Sequence, residues 1–216
     1  MKFYGIELIV FLLLLCEFSF GSDASISEGL LFGAGVEHST TDSDYKFVIV
    51  DANFKFKSTP ILTLDMISSK RNDFGGYAKF SYIPNSGLVS GSTTIGGVTY
   101  DAVQRLNISS YSTAILHGGG VYRFDKYFYT FGLNLSYAAF EKKKSVQDAI
   151  TAGGGIGVDF AINYSFNENL VLSTNFRRLS ISYSEYNSST PTVNDKYFDA
   201  VSQEITFGLK YFFAGN

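Results

Sequence analysis

The sequence has little of what most enzymes and metal proteins use. Its 216 residues include one cysteine, two histidines, three prolines and no tryptophan. A single cysteine cannot form a disulfide within the chain, and the His, Asp and Glu residues show no metal-binding spacing. The net charge is −3, and the sequence shows no basic stripe of the kind that binds nucleic acid. We therefore expect no cofactor, no metal site and no nucleic-acid partner.

A long hydrophobic run is also lacking. The apolar stretch from Ile6 to Leu15, interrupted at Glu7, is too short for a membrane-spanning helix. After the positive charge of Lys2 it is typical of a signal peptide. Small residues at positions 19 and 21 predict cleavage after Gly21. The sequence thus predicts a signal peptide over residues 1–21 and one exported domain over residues 22–216.

What the sequence does have is aromatic residues and a repeated period of two. It contains 21 Phe and 15 Tyr, and no segment after residue 25 keeps an apolar period of 3.6, so strands are favoured over helices. Short connections at 57–60, 125–126 and 167–169 alternate with mostly longer polar ones. This pattern predicts a sheet of hairpins with eight strands, or ten if residues 61–103 break differently. The predicted strands lie at about 28–40, 45–57, 61–83, 104–124, 127–137, 150–164, 169–186 and 197–213.

The polar face of these strands decides which solvent the apolar face meets. A soluble barrel would carry abundant Lys and Glu outside. Here the polar face consists of Gly, Ser, Thr and Asn with single charges, which fits a narrow interior. We therefore predict an all-β fold, a closed antiparallel transmembrane β-barrel whose apolar face meets lipid. A change of phase in the seventh strand, from Phe176 to Leu179, predicts a β-bulge near Arg177.

The terminal strand and the start of the first strand resemble those of a known family. Gly29-Leu30-Leu31-Phe32-Gly33-Ala34-Gly35-Val36, the signal peptide and the closing strand are similar to those of small bacterial outer-membrane barrels of the OmpX, OmpW and opacity-protein kind. The resemblance implies a Gram-negative outer-membrane location and recognition of the last strand by the barrel assembly machinery. The predicted lipid-facing residues of that strand are Ile205, Phe207, Leu209, Tyr211 and Phe213.

Charges on the inward face of the predicted strands form the main candidate site. Isolated buried charges are costly, so near-balanced ones should pair into a network that plugs the barrel. A narrow polar path for solutes is the alternative interpretation. The predicted lumen charges are Glu37, Asp51, Lys55, Asp65, Lys79, Asp159, Arg177, Glu204 and Lys210.

Enzymatic chemistry is weakly indicated. The succession Glu37-His38-Ser39 offers the residue types of a hydrolase triad, but neighbouring strand residues point to opposite faces. His117 precedes three glycines and is expected in the lumen or at its rim. We predict no catalytic residue, with a lipid-modifying enzyme that uses His38 as a weak alternative.

The external loops are the expected site of function. Lys142, Lys143 and Lys144 begin one such loop and are candidates for contact with lipid phosphates. The expected partners are outer-membrane lipids, the assembly machinery and an environmental or host ligand at the loops. The leading hypothesis is a structural or surface-interaction role, and the alternative is a narrow porin-like channel for small or hydrophobic solutes.

Overall fold

A computed structural model describes residues 29–39, 43–47, 52–95, 98–101, 108–142, 149–187 and 194–213. Within these ranges the chain forms one antiparallel sheet, and no helix there is long and apolar enough to cross a membrane. The signal-peptide prediction falls outside the described residues. The strands are β1 (Gly29–Ser39), β2 (Ser43–Phe47), β3 (Ala52–Phe56), β4 (Pro60–Ser69), β5 (Phe74–Ile95), β6 (Val98–Asp101), β7 (Ile108–Phe124), β8 (Tyr127–Lys142), β9 (Ala149–Ser165), β10 (Leu170–Asn187) and β11 (Asn194–Phe213).

The sheet closes on itself because β1 pairs on both sides. Gly33 lies opposite Asp65 of β4 on one side and opposite Phe212 of β11 on the other. Going round the wall, β4 pairs with β5, β5 with β7, and β7 to β11 follow in order. Eight long strands therefore form the barrel, and the prediction of an eight-stranded antiparallel barrel is confirmed. Closure leaves no open edge in lipid, where unpaired backbone groups are costly.

The first part of the wall follows a path that differs from the prediction. Residues 45–57, predicted as one strand, are divided between β2 and β3, which pair with each other. These two strands extend the wall above β1 and β4: β2 pairs with β11, and β3 pairs with β5. The predicted hairpin at 57–60 is wrong: this connection joins β3 to β4, and these two strands do not pair with each other. The chain reverses instead at Asn72, whose φ of 56° suits an asparagine in a tight turn.

The predicted β-bulge near Arg177 is also wrong. β10 keeps one register through this point, with Phe176, Arg177 and Leu179 opposite Ile205, Glu204 and Ser202. Leu179 and Ile181 are each 1 % exposed, inside the barrel. The apolar pattern changes phase because the lumen itself becomes apolar above Arg177. The backbone therefore has no need to slip.

The outer wall is an apolar belt with aromatic residues beside the short turns. Leu133 and Ile156 are 71 % and 68 % exposed, as expected of side chains that face lipid. Phe74 packs on Tyr122 at 4.7 Å between ring centroids, and Tyr127 on Tyr164 at 5.1 Å. In outer-membrane barrels the short turns are periplasmic, which assigns this end to the periplasm. The predicted terminal-strand residues, all exposed on the outer wall, are Ile205, Phe207, Leu209, Tyr211 and Phe213.

Candidate functional site: the charged lumen

Glu37 is the centre of an ion-pair network inside the barrel. It reaches the lumen because β1 alternates, so that Glu37 is buried while His38 is exposed. Lys79 Nζ lies 2.5 Å from Glu37 Oε1, and Lys210 Nζ lies 3.4 Å from the same oxygen. Thr206 donates a 3.0 Å hydrogen bond to Oε2, and Lys210 also reaches Asp65 Oδ1 at 2.8 Å. Four strands thus meet at these carboxylates.

Gly208 provides the space that this arrangement needs. It lies opposite Glu37 on the neighbouring strand. A Cβ atom at position 208 would stand 2.5 Å from Glu37 Cγ and 2.9 Å from the carbonyl oxygen of Val36. A glycine at this position therefore lets the glutamate stem lie against the wall.

A second buried ion pair joins Arg177 to Glu204. The two residues face each other across β10 and β11, and Arg177 donates a hydrogen bond from Nη2 to Glu204 Oε2. Both side chains are almost fully buried. Asp159 lies opposite Arg177 on the other side. The cross-strand order Asp159, Arg177, Glu204 therefore places a cation between two acids.

Asp159 ends a hydrogen-bonded chain that includes His117 and Ser81. His117 Nδ1 lies 3.2 Å from Asp159 Oδ1, and Ser81 Oγ lies 3.1 Å from His117 Nε2. Tyr77 donates a 2.5 Å hydrogen bond to the other Asp159 oxygen. Since a carboxylate can only accept, Nδ1 of His117 carries a proton in this arrangement. The order of contacts is that of a Ser-His-Asp triad, but all three residues are buried.

Two apolar layers enclose the charged layer. The lower apolar layer lies towards the short turns and consists of Leu31, Ile67, Tyr77, Val121, Phe128, Val171 and Phe212. The upper apolar layer lies further along the strands, and Phe56 packs there on Tyr111 with ring centroids 5.0 Å apart. The members of the upper apolar layer are Phe54, Phe56, Ile83, Tyr111, Ile115, Leu179 and Ile181. Side chains therefore fill the lumen at three successive levels.

Some polar atoms between these layers have no hydrogen-bond partner among the described protein atoms. Both amide atoms of Asn134 and of Asn175 belong to this group, with the hydroxyl of Ser173. Buried amides and hydroxyls normally have a partner, which is often an ordered water molecule. We therefore expect ordered water in the polar part of the lumen.

The structure places most of the predicted lumen charges together, with two differences. Asp51 lies outside the described residues. The assignment of Lys55 to the lumen is wrong, because Lys55 is exposed while its neighbours Phe54 and Phe56 are buried. The two phenylalanines occupy the inward positions of β3, and the lysine consequently points away from the barrel. The seven predicted charges that are buried are Glu37, Asp65, Lys79, Asp159, Arg177, Glu204 and Lys210.

Sequence reasoning missed several inward residues. Tyr77 and Ser81 alternate with outward residues on β5 just as Lys79 does, so their positions followed from the same period. Arg123 is 2 % exposed at the periplasmic end of β7, in phase with His117. Phe212 is fully buried in the lower apolar layer although it follows the outward Tyr211. The period of two was the signal available for all of them.

The remaining candidates form no site within the part of the chain that the structure describes. His38 Nδ1 lies 3.1 Å from Ser58 Oγ on the exposed face, whereas Glu37 points inward, so the succession Glu37-His38-Ser39 forms no triad. Lys142 ends β8, and Lys143 and Lys144 lie outside the described residues. Among the described residues, no three His, Cys, Asp or Glu side chains are grouped to hold a metal ion.

Comparison with solved structures identifies the architecture. The outer membrane protein OprG from Pseudomonas aeruginosa aligns over 90 % of this chain and 100 % of its own, with a TM-score of 0.55 and 11 % identity. A major outer membrane protein from Thermus thermophilus aligns over 85 % and 99 %, with a TM-score of 0.53 and 12 % identity. No protein-family profile matches the chain, and no curated protein matches it significantly. The chain has the fold of the small outer-membrane β-barrels, and the predicted outer-membrane location is confirmed.

Proposed function

We propose that this protein is a non-conducting, non-enzymatic barrel that acts through the β-structure it presents outside the cell. The observation that carries the proposal is the length of the strands beyond the apolar belt. β5 has 22 residues, and β11 has 20, whereas roughly 9–11 residues suffice to cross a bilayer. The surplus lies at the end opposite the short turns, which is the extracellular end.

The extension is polar and regular. After Tyr82 the strand β5 continues from Pro84 to Ile95 with Ser, Thr, Gly and Asn at most positions. This stretch measures roughly 40 Å along the strand at about 3.3 Å per residue. It pairs with β3 on one side and with β6 on the other. A paired wall of this kind offers a defined surface for contact with a partner.

The filled lumen supports the non-conducting part of the proposal. An eight-stranded barrel is just wide enough for side chains to fill it, and here buried ion pairs lie between two apolar layers. Recordings from planar bilayers that contain the refolded protein test this directly. We expect no discrete current steps above the leak of a protein-free bilayer. Steady, reproducible steps would replace the proposal with a channel.

The surface role is tested by shortening the extension. Replacing residues 94–101 by a short glycine-containing turn removes the tip of β5 together with β6. It keeps residues 88–93, which pair with β3, and leaves the belt unchanged. We expect this variant to keep the mobility shift between boiled and unboiled samples, and to lose cell attachment to extracellular-matrix or abiotic surfaces to which wild-type cells adhere. Unchanged attachment on every surface would contradict a role for this part of the wall.

A narrow path for hydrophobic solutes is the second candidate. The upper apolar layer favours it, because Phe54, Phe56 and Tyr111 line the lumen on the extracellular side. Quenching of tyrosine fluorescence by a titrated brominated alkane would measure binding there. Saturable quenching that a Phe56→Ser substitution abolishes would favour this candidate.

Among the described residues, the arrangement that an enzymatic role could use is the chain of Ser81, His117 and Asp159. Incubation of the refolded protein with a fluorophosphonate probe, followed by mass spectrometry, reports whether Ser81 is a nucleophile. We expect no labelling, because Ser81 is fully buried. Labelling that is lost in both Ser81→Ala and His117→Ala would overturn the non-enzymatic proposal.

A further inference from the structure

The apolar belt ends at cations on one side of the barrel. On β10 and β11, among the described side chains, the exposed large apolar residues nearest the extracellular end are Phe176 and Ile205, at 44 % and 45 % exposure. The next outward residues on the extracellular side are Arg178 and Gln203, both exposed and directly opposite each other. A guanidinium group thus stands on the outer wall immediately above side chains that face lipid.

Two lysines extend this row around the wall. Lys55 and Lys57 are exposed at the end of β3 and just after it. Phe54, which precedes Lys55, and Phe56, which lies between the two lysines, are buried. The pairing register runs from Arg178 to Gln203, then to Asp44 of β2, and from there to Lys55. The row crosses four neighbouring strands, which lie about 4.8 Å apart. Its ends are therefore roughly 14 Å apart, within the width of one multi-acyl lipid.

The charges at the periplasmic end are different. Lys70, Arg71 and Lys126 are accompanied there by Asp73, Asp125 and Glu168. Arg71 and Asp125 form an exposed ion pair of 2.7 Å that joins two turns. On the outer wall above the belt, by contrast, the charged side chains that the structure describes are Lys55, Lys57 and Arg178. An excess of cations is therefore confined to the extracellular end of the described surface.

We propose that Lys55, Lys57 and Arg178 bind the phosphate groups of a phosphorylated lipid in the outer leaflet. The apolar belt directly below accepts the acyl chains, so that one molecule contacts both surfaces. Arg offers a planar, multidentate fork for phosphate, and lysines add charge. The combination of cations with an adjoining lipid-facing wall selects a lipid headgroup over a free anion. This inference does not depend on the proposed surface role.

Native mass spectrometry of the protein purified from outer membranes tests the inference. Bis-phosphorylated lipid A is titrated into detergent-solubilised wild type and into the triple variant K55S/K57S/R178S. A matched control, K70S/R71S/K126S, removes the same charge from the periplasmic end. We expect the first variant to bind the lipid roughly tenfold or more weakly than wild type, since each cation at an anionic lipid surface adds attraction. The control variant should bind within about twofold of wild type.

Two further measurements separate lipid phosphate from other ligands. Dephosphorylated lipid A should bind wild type and the first variant equally, and inorganic phosphate at the same concentration should not displace the lipid. Equal binding of bis-phosphorylated lipid A to wild type and to the first variant would overturn the inference, as would an equal loss in the control. The heat-dependent shift in gel mobility verifies that each variant is folded.

Discussion

Lys79 donates a 2.5 Å hydrogen bond to Glu37 in a space where their side chains are only 4 % and 0 % exposed. The two residues belong to β5 and β1, which are separated in the wall by β4. A buried ion pair repays its desolvation only when geometry and further hydrogen bonds are good. Thr206 and Lys210 supply those further contacts. Residues of three strands, β1, β5 and β11, therefore hold the pair, and its loss should destabilise the whole barrel.

Glu37→Gln should destabilise the barrel strongly. The substitution leaves Lys79 without its acid and weakens the support of Lys210. Removing one partner of a buried pair costs about 3–5 kcal/mol. Guanidinium-induced unfolding of the protein in lipid vesicles measures this free energy.

A double variant separates the charge from the packing. In Glu37→Leu/Lys79→Met both charges are replaced by apolar side chains, and Lys210 keeps Asp65 as its partner. We expect the double variant to be more stable than Glu37→Gln alone. If the double variant were less stable than the single one, the carboxylate would contribute through contacts other than its charge.

Leu179→Ala tests the path of β10. Because Leu179 is 1 % exposed inside the lumen, its truncation should cost about 3–5 kcal/mol through lost burial and a cavity. Leu133→Ala is the matched control, since lipid fills the space that this outward residue leaves. That change should cost only about 1–2 kcal/mol, the loss of transfer from water to an apolar phase. Equal costs in vesicle unfolding would indicate that Leu179 faces lipid.

Gly208→Ala should displace the stem of Glu37. The added methyl group would meet Glu37 Cγ before any other atom, and we expect a loss of about 1–3 kcal/mol from overpacking. In a Glu37→Ala background the same change should cost less, because the first clash is removed. A double-mutant cycle measures the difference. Strictly additive costs would show that the strain lies in the backbone.

Truncation of Phe212 should mainly lower the stability of the barrel, whereas truncation of Phe213 should mainly lower the amount of folded protein in the membrane. Phe212→Ala empties a position in the lower apolar layer and should cost about 3–5 kcal/mol in vesicle unfolding. Phe213→Ala truncates a side chain that faces outward, and it should lower the free energy of unfolding by only about 1–2 kcal/mol. If the assembly machinery reads the outward face of the last strand, Phe213→Ala should lower the amount of folded protein in the membrane more than its stability explains. Quantitative immunoblots of boiled and unboiled membranes measure this amount.

The period of two was sufficient to predict the outer wall. In strands with one apolar and one small polar face, such as β8 and β9, the apolar side chains face outward as predicted. The number of strands was also predicted, but two errors compensated. The sequence predicts a reversal at 57–60 and a continuous strand over 61–83, whereas the chain runs on past Pro60 and reverses at Asn72. Both sites combine polar residues with a turn former, and only the three-dimensional pairing distinguishes them.

The interior was less predictable because its polarity changes along the barrel axis. The period of two predicts a uniformly polar lumen, and this places Leu179 and Ile181 on the lipid side and Lys55 in the interior. The lumen in fact alternates between apolar and charged levels, and at the upper level a large apolar side chain faces inward as readily as outward. Partners such as Tyr77 and Asp159, 82 residues apart in the chain, are brought together only by closure of the wall.

The position of Glu37 on the first strand has a consequence for biogenesis. Its partners Thr206 and Lys210 belong to the last strand, and Thr206 is 169 positions away in the chain, so a growing barrel holds Glu37 without them until its two edges meet. The seam between β1 and β11 is thus joined by charge as well as by the backbone ladder. A chain that stops short of the last strand would keep an acid without these two partners inside an unfinished wall. Completion of the circle and completion of the ionic centre are a single event, which favours an all-or-none final step of folding.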